Sequence, residues 1–277
     1  MIERAFLRRA AAAGAVILGL ALAGCGPGGA TLERVRAAGE LRIGVRSDSP
    51  PFGFKDEAGN PRGFDVDLGF RLAKVLGVRP DFVFVTPKER FTKLQSGEID
   101  CVIATLTANR RRARELDFSI PYFQDQQQLL VKADSPIQSY RDLPAKKVAA
   151  AEGTTSLENL TTISPDCQPV KVADLEEGFQ LLREGKVDAL ISDGVKLIAR
   201  RLDDPHPDAF RLAGAAPSVE LYVIGLPRDD SEFRRAVDEF LMDLWNSGHW
   251  TRLFDKWLGG RSRYKLAPAF QMPVLPP

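Results

Sequence analysis

Four stretches of this 277-residue chain run from apolar residues into abrupt polar chemistry. Leu41 to Val45 leads into Arg46, and Ile99 leads through Thr105 to Thr107. Val148 to Ala151 leads into Gly153-Thr154-Thr155, and Leu190 to Ser192 leads into Asp193. Short apolar runs bounded in this way read as buried strands. Polar groups at the carboxyl ends of parallel strands lie beside helix N-termini, whose free N–H groups make such ends the ligand sites of open α/β sheets. Arg46 offers a planar guanidinium that can meet a carboxylate with two parallel hydrogen bonds. Asp193 offers a carboxylate for a charged nitrogen, and the threonines offer hydroxyls. For acid–base chemistry these ends supply Asp193 alone. His206 and His249 are isolated from each other and from Cys101 and Cys167, so neither a metal nor another cofactor is expected. The pattern suits a cleft that binds a small charged molecule.

The elements positioning these ends alternate. Val66, Gly69, Phe70, Ala73 and Leu76 mark a helix ended by Gly77, Phe82 to Val85 is a strand, and a short helix through Leu94 stops at Gly97. This βαβ spacing predicts an α/β fold with mostly parallel sheets. The stretch Leu94-Gln95-Ser96-Gly97-Glu98-Ile99-Asp100 is echoed by Leu182-Arg183-Glu184-Gly185-Lys186-Val187-Asp188, and each continues into an apolar strand. Two similar lobes would produce that echo, although an ordinary helix-to-strand turn has the same look. With two lobes, one supplies Arg46 and the threonines near 106, the other supplies the Gly-Thr-Thr turn and Asp193, and a ligand bridges them.

At the N-terminus, Arg4, Arg8 and Arg9 precede an uncharged run from Ala10 to Ala21, too short to span a bilayer and suited to a secretory signal. Leu22-Ala23-Gly24-Cys25 resembles the bacterial lipobox, which implies that residues 1–24 are removed and Cys25 is lipidated. Gly26-Pro27-Gly28-Gly29 then reads as part of a flexible tether over residues 25–30. The whole chain carries 38 basic and 37 acidic side chains; leaving out residues 1–24 removes three arginines and one glutamate, for 35 against 36. So even a balance excludes a nucleic-acid footprint. Cys101 and Cys167, without motif spacing, read as small buried hydrophobes.

Three further stretches carry a family resemblance: Gly63-Phe64-Asp65-Val66-Asp67-Leu68, Leu106-Thr107-Ala108-Asn109-Arg110-Arg111-Arg112, and Asp117-Phe118-Ser119-Ile120-Pro121-Tyr122. Together with the Gly-Thr-Thr turn and Asp193, their order over residues 32–260 resembles the type 3 extracellular solute-binding proteins of ABC importers for polar amino acids. The resemblance implies a two-lobe, type II periplasmic-binding-protein-like fold with two crossover strands. Lobe I would comprise residues 31–124 and 222–260, lobe II residues 125–221, and residues 261–277 a loosely draped tail. It implies a monomer on the outer side of a membrane, lipid-anchored, that delivers an amino acid to a permease with a cytoplasmic ATPase.

Carried over by position, the carboxylate-binding arginine falls on Arg112 with Thr107 beside it, and the ammonium-binding carboxylate falls on Asp193. Taken from the run Arg110 to Arg114 alone, Arg112 is one more charge on a solvated face, and Asp193 could equally cap the following helix. Thr154 and Thr155 are expected either to donate to the ligand or to cap. Ser49 and Pro87 occupy positions where many relatives stack an aromatic on the ligand. Arg46 and Arg90 stand nearby, as in the aspartate- and glutamate-binding branch, and suggest a second ligand carboxylate; each could instead be a surface charge. Phe52 is expected to line the cleft, with the core as its other reading. The amphipathic stretches from Val237 to Leu244 and from Trp250 to Trp257 read as helices whose tryptophans pack the lobe. Glutamine or asparagine is the alternative ligand, and a cyclohexadienyl-dehydratase-like enzyme the rival from another class.

Overall fold

The computed structural model of the chain describes residues 30–215, 218–268 and 270–272. The leader, Cys25 and nearly all of the tether lie outside the described residues. Two sheets organise the rest, and each has three parallel strands at one side. In the first, Arg79–Phe84, Glu40–Val45 and Cys101–Thr107 run parallel, and Glu220–Leu226 adds antiparallel to Cys101–Thr107. In the second, Gln168–Val172, Lys147–Ala151 and Ala189–Asp193 run parallel, and Gln127–Lys132 adds antiparallel, followed by Phe210–Ala215. The antiparallel strands make both sheets mixed.

Cys101–Thr107 is buried along its whole length, which requires cover on both faces and explains its unbroken apolar run. Alternation then divides it. Cys101 and Ile103 join the core under helices Phe64–Leu76, Ser231–Asn246 and His249–Trp257, whereas Val102, Ala104 and Leu106 pack with Leu94 of helix Glu89–Gln95. The second sheet divides likewise: Ala150 and Ile191 face Leu160 of helix Thr155–Ile163, while Ala149 and Leu190 face Phe179 and Leu197 of helices Leu175–Arg183 and Gly194–Asp203.

The sequence echo corresponds to one device built twice. Gly97 and Gly185 both take left-handed φ values, +72° and +70°, at the ends of their helices. Three residues later, Asp100 N–H donates to Arg42 O at 2.8 Å and its carboxylate accepts from Arg42 N–H at 2.8 Å. Asp188 makes the same pair of bonds to Lys147, both at 2.8 Å. Each aspartate thus pins the base of its central strand to the neighbouring parallel strand, and the far end of that strand carries Thr105 to Thr107 or Asp193.

The chain passes from the first sheet to the second just after Phe123–Asp125 and returns before Glu220. There Gln124 pairs with Leu221 and Asp125 with Glu220, so the two crossings form one antiparallel ribbon. Trp250 donates its ring N–H to Tyr122 O at 2.8 Å and Trp257 to Asp67 at 2.7 Å, both within the first lobe's packing. Of the tail's described residues, Phe270 and Met272 are buried and Phe270 meets Trp245 and Trp250, whereas residues 269 and 273–277, on which the expectation of a loose end also falls, lie outside the described residues. Among the described residues no helix is long and apolar enough to cross a membrane. Cys101 and Cys167 are free and buried.

Candidate functional site

The carboxyl ends of the central strands of both sheets open on one cleft, lined by Arg46, Ser49, Pro87, Arg90, Thr105 and Thr107 from one lobe and by Thr154, Thr155, Asp193 and Lys196 from the other. Arg46 follows strand Glu40–Val45 directly and forms a two-pronged pair with Asp48, at 2.8 and 2.6 Å. Arg46 is therefore not the surface charge of its other reading: it is paired with its neighbour but buried in the cleft. Burial works to raise the Asp48 pKa, but Arg46, joined by the Leu175 N–H and Lys196, holds the carboxylate below its usual range. Asp48 also accepts from Leu175 N–H in the second lobe at 3.1 Å.

Arg90 and Arg112 have no carboxylate partner among the described residues. Arg90 donates to the carbonyls of Ala104 (2.8 Å), Thr105 (3.3 Å) and Gly153 (3.3 Å). Arg112 donates to Thr107 O at 2.7 Å and Gly153 O at 3.0 Å, with its guanidinium over the Phe91 ring. Arg110, Arg111 and Arg114 are exposed, whereas Arg112 is fully buried. The run is solvated except at the one position the resemblance selects. Burial depresses the Arg90 pKa well below its ordinary value, and the nearby charges of Arg112 and Arg46 push it the same way.

Gly153 is a point of close approach between the lobes. Its φ is +75°, and a Cβ there would stand 2.9 Å from Pro87 O and 3.0 Å from Lys88 Cα across the cleft. Only a residue without a side chain permits that approach. Beside it, Thr154 caps the following helix, accepting from Leu157 N–H at 3.3 Å and donating to Ala151 O at 2.6 Å. Thr155 donates to Glu220 at 2.7 Å and accepts from Gln127 at 3.2 Å.

Asp193 precedes helix Gly194–Asp203 but makes no side-chain cap; Asp125, on the crossing strand, takes Val195 N–H instead at 3.1 Å. Asp193 is thereby free to face the cleft. Its Oδ2 accepts from Tyr222 O–H at 2.6 Å and pairs with Lys196 Nζ at 2.8 Å. Four buried polar atoms here have no hydrogen-bond partner among the described residues: Arg46 Nη1, Arg90 Nε, Arg112 Nε and Asp193 Oδ1.

Phe52 is a correction. It is fully buried and packs edge-on against Phe64, Phe123 and Tyr222, with centroids at 6.1, 5.0 and 5.3 Å, so it belongs to the core rather than to the cleft lining. Gly63 accounts for this, since a Cβ there would lie 2.1 Å from Phe52 O; the contact draws the Phe52 backbone against the start of the next helix. Residue spacing also missed Lys196 and a floor of buried carboxyls. Asp65 accepts from Tyr122 O–H at 2.9 Å and from Thr105 N–H at 3.0 Å. Burial raises Asp65 to about 6 against the pull of these donors. Burial and the adjacent Asp193 charge raise Asp125 to about 7 and raise Glu220 as well. Asp65 had a sequence signal in the Gly63-Phe64-Asp65 stretch.

Residues 41–260 match the family model of the bacterial extracellular solute-binding proteins, family 3. The chain belongs to this family. A glutamine-binding protein of Geobacillus stearothermophilus is 36% identical over 212 residues, covering 75% of this chain and 80% of the relative. An L-glutamate/L-aspartate-binding protein of Pseudomonas aeruginosa is 27% identical over 239 residues, 82% and 79% of the two chains. Among solved structures, an ancestral amino acid-binding protein described as a precursor of cyclohexadienyl dehydratase superposes with a TM-score of 0.76 at 32% identity, covering 83% of this chain and 99% of that one. The two-lobe architecture of this solute-binding protein is thus the periplasmic-binding-protein-like fold.

Two outcomes test this geometry. Gly153→Ala combines a left-handed backbone, which costs a residue with a Cβ about 1–2 kcal/mol, with a clash that exists only when the lobes meet. It should weaken every ligand by roughly tenfold or more and by the same factor. Titration calorimetry that finds unchanged affinity would show that closure does not need this contact. The second outcome concerns pH. Asp65 and Asp125 hold protons in the folded chain that the unfolded chain releases near pH 4, so their contribution to stability falls as pH rises from about 4 to about 7. Asp125→Asn should remove roughly 2–4 kcal/mol of that decline. Parallel slopes of unfolding free energy against pH for parent and variant would contradict the assignment.

Proposed function

We propose that this chain is an extracytoplasmic receptor that closes on an amino acid, with an acidic side chain favoured, and presents it to the membrane subunits of an ABC importer. The observation carrying this reading is the set of unpartnered atoms in the cleft. Guanidinium donors from Arg46, Arg90 and Arg112 and one carboxylate oxygen of Asp193 are buried without partners among the described residues. A buried polar atom without a partner is expensive. A ligand with carboxylates and an ammonium complements that arrangement. In this reading Arg112 and Thr107 take the α-carboxylate, with Thr154 and Thr155 opposite, and Asp193 takes the ammonium. Arg46, Arg90 and Thr105 surround the side chain.

Charge favours the acid. Among the described residues the cleft lining carries three cations, Arg46, Arg90 and Lys196, and one carboxylate, Asp193, while Arg112, Asp48 and the buried carboxyls Asp65, Asp125 and Glu220 lie outside that lining. A zwitterion with a neutral side chain leaves that excess unchanged, whereas glutamate or aspartate reduces it. Glutamine is the second reading, because the 36% relative is a glutamine-binding protein. The dehydratase reading has less support, since among the described residues Asp193 is the one acidic side chain lining the cleft, and in this reading it holds the ligand's ammonium. The lipobox-like Leu22-Ala23-Gly24-Cys25 supports attachment to the membrane through Cys25.

Calorimetric titration with glutamate, aspartate, glutamine and asparagine tests the central reading, and two variants separate the arginines. Removing one partner of a buried ion pair costs about 3–5 kcal/mol, against about 1.5–3 kcal/mol for a hydrogen bond to a charged group. Arg90→Met should therefore weaken the acid a few hundred-fold and its amide far less. Arg112→Met should weaken both alike, because every α-amino acid carries the same carboxylate. Equal losses from Arg90→Met would remove the acidic assignment. For the anchor, Cys25→Ser should release the protein from membranes or leave its precursor uncleaved. A processed variant that stays membrane-bound would refute lipidation at that cysteine.

A further inference from the structure

Lys196 is a cleft-lining charge on a helix rather than at a strand end, and its position is unfavourable. It stands in the first turn of helix Gly194–Asp203, where the positive end of the helix dipole opposes a cation. Even so it is buried, 8% exposed, with its Nζ 2.8 Å from Asp193 Oδ2. Its charge works against the burial that raises Asp65, Asp125 and Glu220, and adds to the lowering of Asp48. Asp193 does not cap the helix and its Oδ1 is unpartnered. A primary ammonium on Asp193 beside the Tyr222 hydroxyl is the group that an amino acid's own ammonium would present.

We infer that Lys196 stands in for the ligand's ammonium on Asp193 and turns to the ligand's side-chain carboxylate when the ligand arrives. The inference rests on the acidic-amino-acid reading of the cleft. Asp193 supplies two oxygens. Oδ1 can receive the incoming ammonium while Oδ2 still holds the lysine, so neither charge is stripped bare during the exchange. A lysine suits this role because its ammonium is a point charge on a flexible stem with rotatable donors, whereas a guanidinium is committed to a planar fork. With glutamate bound, Asp193 keeps a cation and Lys196 gains an anion. With glutamine bound, Lys196 gives up its share of Asp193 and gains only an amide oxygen, which leaves a buried cation poorly compensated. Selectivity then comes from a penalty on the wrong ligand as well as from attraction to the right one.

The test is calorimetric titration of the processed full-length protein and its Lys196→Met and Lys196→Arg variants with glutamate and glutamine, alongside thermal melts. Lys196→Met should weaken glutamate by at least about tenfold and leave glutamine unchanged or tighter, because the competitor for Asp193 is gone. Lys196→Arg, which keeps the charge, should retain the preference for the acid. Equal weakening of both ligands by Lys196→Met would overturn the inference, since a lysine that only props Asp193 affects every ammonium alike. Loss of the acid preference in a folded Lys196→Arg variant would overturn it too. If the parent binds glutamine but not glutamate, the acidic reading fails on its own. The stand-in role then survives only if Lys196→Met tightens glutamine.

Discussion

Burying several like charges in one cleft is the constraint on which the rest of this structure depends. Arg46, Arg90, Arg112 and Lys196 are all withdrawn from water, and a buried charge without compensation is strongly unfavourable. Two are offset by carboxylates, Asp48 and Asp193. The other two are held by carbonyl dipoles from Ala104, Thr105, Thr107 and Gly153, which satisfy N–H donors without neutralising them. Carbonyls supply a geometric hold, and anions must supply the charge. Gly153 O, accepting from both arginines across the cleft, occupies the role that a ligand carboxylate oxygen would take. In the proposed reading, lobe approach and anion recognition draw on the same donors.

Much of the fold was legible because its signals are backbone signals. Gly97 and Gly185 could be read as helix ends, and the aspartates three residues later repeat because both lobes fasten their central strand in the same way. Arg46 and Asp193 could be placed because a strand end fixes where the next residue points. Arg112 could not be found that way: it lies in a run of arginines on a short turn, and its burial follows from tertiary contacts with Phe91 and Gly153 that no periodicity reveals. The family resemblance selected it. Lys196 escaped for a different reason. Three residues after an aspartate on a helix, it has the spacing of an ordinary surface pair, and only the seating of that helix over the cleft makes it a buried one. Phe52 shows the opposite failure, since the sequence left both cleft and core open to it, while the tight contact at Gly63 draws its backbone against the next helix and its ring lies in the core.

The buried carboxyls beneath the cleft explain how a charged site stays in place. Asp65 ties the Thr105 strand end to Tyr122, Asp125 ties the first crossing to helix Gly194–Asp203, and Glu220 ties the return crossing to Thr155. Each joins elements distant in sequence, and burial raises the pKa of each. These groups therefore support the site through hydrogen bonds, a role that tolerates a proton on one oxygen. Asp193 differs. A hydroxyl and an ammonium converge on its Oδ2 while Oδ1 remains without a partner, so its charge has a cation beside it and its second oxygen is available. Asp125 makes that possible by taking the backbone N–H of Val195, which leaves Asp193 free of capping duty. A cap displaced onto the crossing strand is thus what frees a cleft carboxylate, and it joins the hinge side of the molecule to the ligand side through a single helix.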